Sequence, residues 1–345
     1  MLQSEALIIG AGPCGLFQAF ELGLLGIRAD IIDALPHAGG QCMQLYPNKP
    51  LYDIPGFTEI SGSGLTQRLM QQIRPFKPRF WLDERVLSIN ETEGGRLAVV
   101  TDAGREFDAA AIIIATGGGA FSPVKLKVEG AESFEGKQLF YSVADPAVHH
   151  NKQLVVLGGG DSALDWALNL QPHAESLVLI HRSANFRAQP NSIRKMQKLC
   201  DEMQMQFLAG QVVGLDTEEG QLKGIRVQSA DAVIRRLETD HLLVFFGMTP
   251  DLASLKAWQL ELEGSQIRVD TARFETSKPG VYAVGDICWY PGKRKLILSG
   301  FHEAALAAYA IKARTNPDQP LYTQYTTTSP IVHQRLGVKP EPDLY

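Results

Sequence analysis

A chain of 345 residues, 45% hydrophobic and 21% charged, has the composition of a globular protein of two or three domains, long enough to bury sizeable cores. No stretch approaches the ~18 consecutive apolar residues of a membrane span. Thirty-three Lys+Arg against 38 Asp+Glu leave a net charge of −5, which removes the broad attraction that nonspecific nucleic-acid binding needs. Neither a membrane nor a nucleic acid is expected as partner, and any anion site must be local.

Cys14, Cys42, Cys200 and Cys288 stand too far apart for a Cys-x-x-Cys redox or zinc pair. The histidines His149, His150 and His173 lack carboxylate or cysteine companions at ligand spacing, so no metal is expected. The first residues, Met1 to Glu5, lack the positive n-region of a signal peptide, and reduced thiols in a cytoplasmic protein are the expectation.

Ala6-Leu7-Ile8-Ile9 is a short apolar run into Gly10-Ala11-Gly12-Pro13-Cys14-Gly15, followed by helical spacing from Leu16 to Leu25 and a stop at Gly26. Ala29 to Asp33 follows as a second strand and completes a βαβ unit with a parallel sheet. A Gly/Pro-rich stretch from Pro36 to Gly64, carrying Tyr46, Tyr52 and Phe57, is too long for a plain linker and is expected to touch a ligand. Val86 to Val100 predicts a hairpin, and Ala110 to Gly117 a buried strand. The pattern then repeats: Gln153 to Leu157, Gly158-Gly159-Gly160-Asp161-Ser162-Ala163, a helix to Leu170, and a strand from Leu177 ending at His181-Arg182. Leu242 to Phe246 and Val281 to Val284 are later buried strands, and the tail from Thr315 is expected to be irregular.

In a turn of this kind the first glycine allows the tight bend, the second lets backbone approach a pyrophosphate, and the third lets helix pack on strand. Gly10, Gly12 and Gly15 hold those places, with Pro13 opening the helix, and Asp33 stands where a carboxylate accepts from an adenosine ribose. In the second copy Gly158, Gly160 and Ala163 hold them, with Asp161 and Ser162 opening the helix, but the second strand ends in His181-Arg182, with Arg187 five residues on. Guanidinium groups bind a 2′-phosphate that a carboxylate would repel. One acidic and one basic ribose position in a single chain imply two nucleotides, FAD held permanently and NADPH visiting. Asp286, after a buried strand and before the helical Glu303 to Ile311, suits the flavin's ribityl chain.

The glycine turn with Asp33, Gly39-Gly40-Gln41, Ala115-Thr116-Gly117, the second glycine turn, His181-Arg182 with Phe186-Arg187-Ala188, and Gly285-Asp286 together resemble the low-molecular-weight thioredoxin reductases over essentially the whole chain. That family's dithiol is missing, since the region before the second glycine turn, Phe140 to Pro146, holds no cysteine. The chain is more similar to the thioredoxin-reductase-like class of ferredoxin:NADP reductases, through Leu45-Tyr46-Pro47 and Tyr325-Thr326-Thr327-Thr328-Ser329. The resemblance implies two Rossmann-like, three-layer ββα domains. The FAD domain, 1–117 and 252–345, is split around an inserted NADPH domain, 118–251.

It further implies Gln41, Tyr46, Tyr325 and Thr326 as FAD contacts, the two tyrosines stacking on opposite flavin faces, and a homodimer. Hydride would pass from NADPH to FAD and single electrons then to ferredoxin or flavodoxin, with the flavin carrying the chemistry and no catalytic side chain. Ser183 departs from the family's second arginine and removes one phosphate contact. Lys293-Arg294-Lys295 and Arg194, Lys195 and Lys198 are candidate docking patches for an acidic acceptor. The same residues leave open a reductase for a quinone, an iron complex or a disulfide protein, and a nucleotide-sensing flavoprotein without turnover.

Overall fold

Each of the two glycine turns follows the central strand of its own parallel sheet. The structure is a computed structural model that describes the chain except residues 93, 119–120, 144, 251–252, 319–324 and 339–345. The chain divides into two compact units, Met1–Phe121 with Pro250–Tyr345, and Ser122–Thr249.

In the first unit five parallel strands run in the order Val281–Ala283, Ile112–Ile114, Ala6–Ile9, Ala29–Asp33, Arg79–Leu82. In the second the order is Leu139–Phe140, His241–Val244, Gln153–Leu157, Ser176–His181, Gln206–Ala209, again all parallel. The three central strands of the two sheets therefore occupy equivalent places. A parallel strand covered on both faces needs apolar side chains at every position, because successive residues point to opposite sides. In Gln153–Leu157 this is explicit. Val155 and Leu157 pack with Leu222, Ile225 and Val227 of an antiparallel three-stranded sheet, while Leu154 and Val156 pack with Ala163, Leu164, Ala167 and Leu170 of the helix Asp161–Leu170. Three layers result: sheet, parallel sheet, helices. The first unit uses a four-stranded sheet, Leu2–Ser4, Glu106–Ala109, Leu97–Thr101 and Val86–Glu91, in the corresponding role, and the expected hairpin is its antiparallel edge.

The tail is not irregular throughout. Pro330–Leu336 is a helix, with Ser329 Oγ accepting from Val332 N, Pro330 at its first position and Gly337 closing it in the left-handed region at φ +68°. Val332 is buried, and Arg335 donates to the Leu24 carbonyl at the end of the helix Pro13–Leu24. Seven residues carry too little periodicity to announce a helix. Among the described residues no helix is long and apolar enough to cross a membrane.

The strand that ends at Asp33 is fastened through Asp30, a buried carboxylate that accepts from Ser4 Oγ (2.7 Å), Arg79 Nε (2.7 Å) and Nη2 (2.8 Å), and Trp81 Nε1 (3.0 Å). Arg79 is 44% exposed in its side chain and can return to water, but the Ser4 and Trp81 donors cannot readily do so. Asp30→Ala should lower unfolding free energy by about 2–3 kcal/mol, read as a shift in the urea midpoint at constant slope.

Candidate functional site

In the first unit a cleft opens at the carboxyl ends of the parallel strands, where open α/β sheets bind ligands. Gly10 stands at φ +113°, and a Cβ there would meet the Ala115 carbonyl oxygen at 2.4 Å. A Cβ on Gly15 would lie 1.9 Å from the Gly10 oxygen, so the helix Pro13–Leu24 can start this close to the strand only with glycine at both places. Gly12 differs. Its backbone is extended, it has no side-chain cap, and a Cβ there would find nothing nearer than Gly40 Cα at 4.0 Å. The first helical turn carries no acidic residue, which leaves its N–H groups and dipole to an anion.

Gly10, Gly12, Pro13, Asp33, Gln41, Tyr46 and Asp286 line this cleft, while Gly15 supports it from behind. Asp33 accepts from Ala11 N (2.5 Å) and Leu35 N (2.8 Å), so it braces the glycine turn and still has lone pairs for a ribose. Burial pushes its carboxyl upward, partly offset by those two N–H donors. Burial likewise raises Asp286 against the pull of Lys293 and Lys295, and raises the Tyr46 hydroxyl. Cys14 and Cys42 also line the cleft. Burial drives the Cys14 thiol up to about 12 and raises Cys42, which makes both poor nucleophiles.

Tyr325 and Thr326 are not in the cleft. Tyr325 is 72% exposed; Thr328 N and Ser329 N bond to its carbonyl, and the helix after it is anchored at Leu24. The 12-residue helix Pro13–Leu24 puts that anchor about 18 Å from the glycine turn. Lys293 also departs from expectation: its side chain is 4% exposed and ion-paired with Glu303, leaving Arg294 and Lys295 as the exposed cations of that run. Burial raises Cys288, which is fully buried against the Gly285 carbonyl and Glu303.

Residues not singled out from the sequence complete the cleft: Glu84, Arg85 and Val86 after the strand Arg79–Leu82, and Leu255 and Trp258 after the chain re-enters the unit. Trp258 Nε1 and Thr116 Oγ1 are buried without a hydrogen-bond partner among the described residues. A chain segment with nothing but apolar spacing, such as that around Trp258, gives no local sign of the cleft it reaches.

The second unit repeats the design. Gly158, Gly160, Asp161, Ser162, His181, Arg182 and Arg187 all line one cleft. Arg187 N donates to the Gly159 carbonyl at 2.7 Å, which fixes that arginine beside the turn. A Cβ on Gly159 would collide with the His181 ring at 2.4 Å, so the middle glycine makes room for the histidine. Burial, then the charge of Arg182, holds His181 below its ordinary value, with Arg187 adding to this. Asp161 Oδ1 accepts from Gln189 N at 2.8 Å, and neither Arg182 nor Arg187 has an ion-pair partner among the described residues. Lys127, exposed in the same cleft, was not singled out from the sequence.

The sequence matches the pyridine nucleotide-disulphide oxidoreductases over residues 4–312. The chain belongs to that family. It is 54% identical over 338 residues to ferredoxin–NADP reductase 2 of Cupriavidus metallidurans, covering 98% of this chain and 92% of the relative, and 50% identical to ferredoxin–NADP reductase of Albidiferax ferrireducens, covering 98% and 97%. Among solved structures it is similar to thioredoxin reductase of T. acidophilum, at 23% identity and a TM-score of 0.71, covering 91% of this chain and 99% of that one. The fold is thus that of the two-domain thioredoxin reductases, and the protein is an oxidoreductase using FAD and NADPH.

The first cleft fits FAD on its own features: space over Gly12 that a side chain would fill, an uncapped helix start, and the unpartnered Thr116 Oγ1 and Trp258 Nε1. Gly12→Ala offers a clean test, because the added methyl meets no protein atom yet intrudes where a pyrophosphate would lie. The variant should unfold at the wild-type temperature as apoprotein and bind FAD at least about tenfold more weakly by fluorescence titration.

Proposed function

We propose that the chain is a ferredoxin– or flavodoxin–NADP reductase, with FAD in the first cleft and NADPH in the second. The observation that carries the assignment is the contrast between two clefts built on the same strand–glycine turn–helix unit: Asp33 at the ribose position of one, Arg182 and Arg187 at that of the other. Bound FAD supplies the exchange between a two-electron hydride and single electrons. The protein's own part is to bind, orient and exclude water. Gly10, Gly12, Pro13 and Gly15 bring the helix start to the pyrophosphate, Asp33 holds the ribose, and Gln41, Tyr46 and Asp286 line the remainder. Gly158, Gly160, Asp161 and Ser162 serve NADPH likewise, and His181, Arg182 and Arg187 receive its 2′-phosphate.

Cytoplasmic location is part of this proposal and is supported by four free thiols. So is a homodimer, supported by the exposed tail residues Tyr325 (72%) and Ile331 (53%), which a second copy would cover. Arg294, exposed beside the FAD cleft residue Lys295, suits docking of an acidic acceptor.

NADPH-dependent reduction of a panel of ferredoxins and flavodoxins tests the assignment; turnover of dyes without reduction of any panel member above the rate of free flavin would refute it. Arg182→Ala should raise the Michaelis constant for NADPH about tenfold or more and leave that for NADH nearly unchanged, since the lost bond is charge-assisted and specific to the 2′-phosphate. Arg294→Glu should raise the Michaelis constant for ferredoxin severalfold at low salt, with less effect at high salt, and leave NADPH-dependent dye reduction as it was.

A further inference from the structure

Glu303 lies in the helix Ile297–Thr315 and is fully buried. A bare carboxylate there would carry a large desolvation cost. Four donors meet it, all from the loop that follows the strand Val281–Ala283: Gly285 N at 2.7 Å and Cys288 Sγ at 3.3 Å on Oε2, and Tyr290 Oη at 2.8 Å and Lys293 Nζ on Oε1. The Lys293 side chain is 4% exposed, and its ammonium lies 5.6 Å from the centre of the Tyr290 ring. An ion pair this deeply buried is weak evidence of a gain in stability, since apolar groups of the same volume often serve as well.

The four bonds gather the loop whose start is Gly285–Asp286. Oε2 holds the Gly285 N–H, one residue before the carboxylate that lines the FAD cleft, and Gly285 stands in the left-handed region at φ +78°. Gly300, from the same helix as Glu303, sits so close that a Cβ on it would lie 3.2 Å from Gly285 Cα and 2.2 Å from Cys14 Sγ. The turn is thus gripped between the helix start and a charged anchor further along the helix. Neither Glu303 nor Lys293 lines the cleft.

We infer that Glu303, paired with Lys293, is a positioning residue that holds the Gly285–Asp286 turn in the geometry that binds FAD, setting flavin affinity and environment without touching the cofactor. This rests on the proposed role of Asp286 toward FAD. The decisive comparison is between two charge-free replacements of the pair in the holoenzyme. Glu303→Leu with Lys293→Met removes the acceptor for Gly285 N–H, whereas Glu303→Gln with Lys293→Met keeps an acceptor there. The first should have a lowered thermal midpoint, because Gly285 N–H and Tyr290 Oη lose their acceptor, and should release FAD at least tenfold faster, followed by flavin fluorescence after dilution below that midpoint, with a shifted visible flavin band. The second should restore most of the release rate and the band. Wild-type release and spectrum in both would overturn the inference.

Should the first fail to fold, Glu303→Asp decides, since it keeps the ion pair but withdraws the carboxylate from Gly285; unchanged release and spectrum there would also overturn it. Asp286→Ala separates the two layers of argument. If it leaves FAD release unchanged, the role of Asp286 fails and the inference with it. If it speeds release while the acceptor-free pair does not, the inference alone fails.

Discussion

The contact on which the structure depends is the approach of a helix start to the end of a buried parallel strand, so close that the glycine at the strand end could carry no side chain. In the first unit it is the near-contact of Gly15 with the Gly10 carbonyl, and in the second that of Gly158 with Ala163 and the Phe245 carbonyl. Removing side chains at those points brings uncapped N–H groups to the mouth of the cleft, where the helix dipole offers a partial positive charge without any cation. A chain of net charge −5 thus presents two helix starts without a side-chain cap.

Because the same contact builds both clefts, what distinguishes them is added afterwards, at the tip of the next strand. Asp33 faces the first cleft and is tied to the Ala11 and Leu35 amides; Arg182 and Arg187 face the second without ion-pair partners among the described residues. The carboxylate does double duty as a brace of the turn. The arginines stay exposed, and Arg187 is fixed beside the turn through its backbone N–H, as the proposed phosphate contact requires.

Charge is handled differently again behind the first cleft, where Glu303 and Lys293 are removed from solvent together. Read along the chain, Lys293-Arg294-Lys295 is a uniform basic run, yet one member is an internal partner and two are surface groups. The difference comes from a residue ten positions on, in a helix that folds back over the loop.

What the sequence by itself determined are the features whose cause is local. Glycine spacing, strand runs apolar at every position, and the acid or base ending the second strand all act within a single βαβ unit, so the layers, the repeat, and Gly10, Gly12, Asp33, Gly158, Arg182 and Arg187 could be read from it. Only the tertiary structure decided which distant segments share those clefts. Trp258 and Leu255 join Asp33 from more than two hundred residues away, Lys293 turns inward to Glu303, and the short helix Pro330–Leu336 fastens the tail at Leu24, away from the glycine turn, leaving Tyr325 exposed. Each of these is set by packing and by pairing of buried polar groups across the chain, interactions whose partners adjacent sequence does not name.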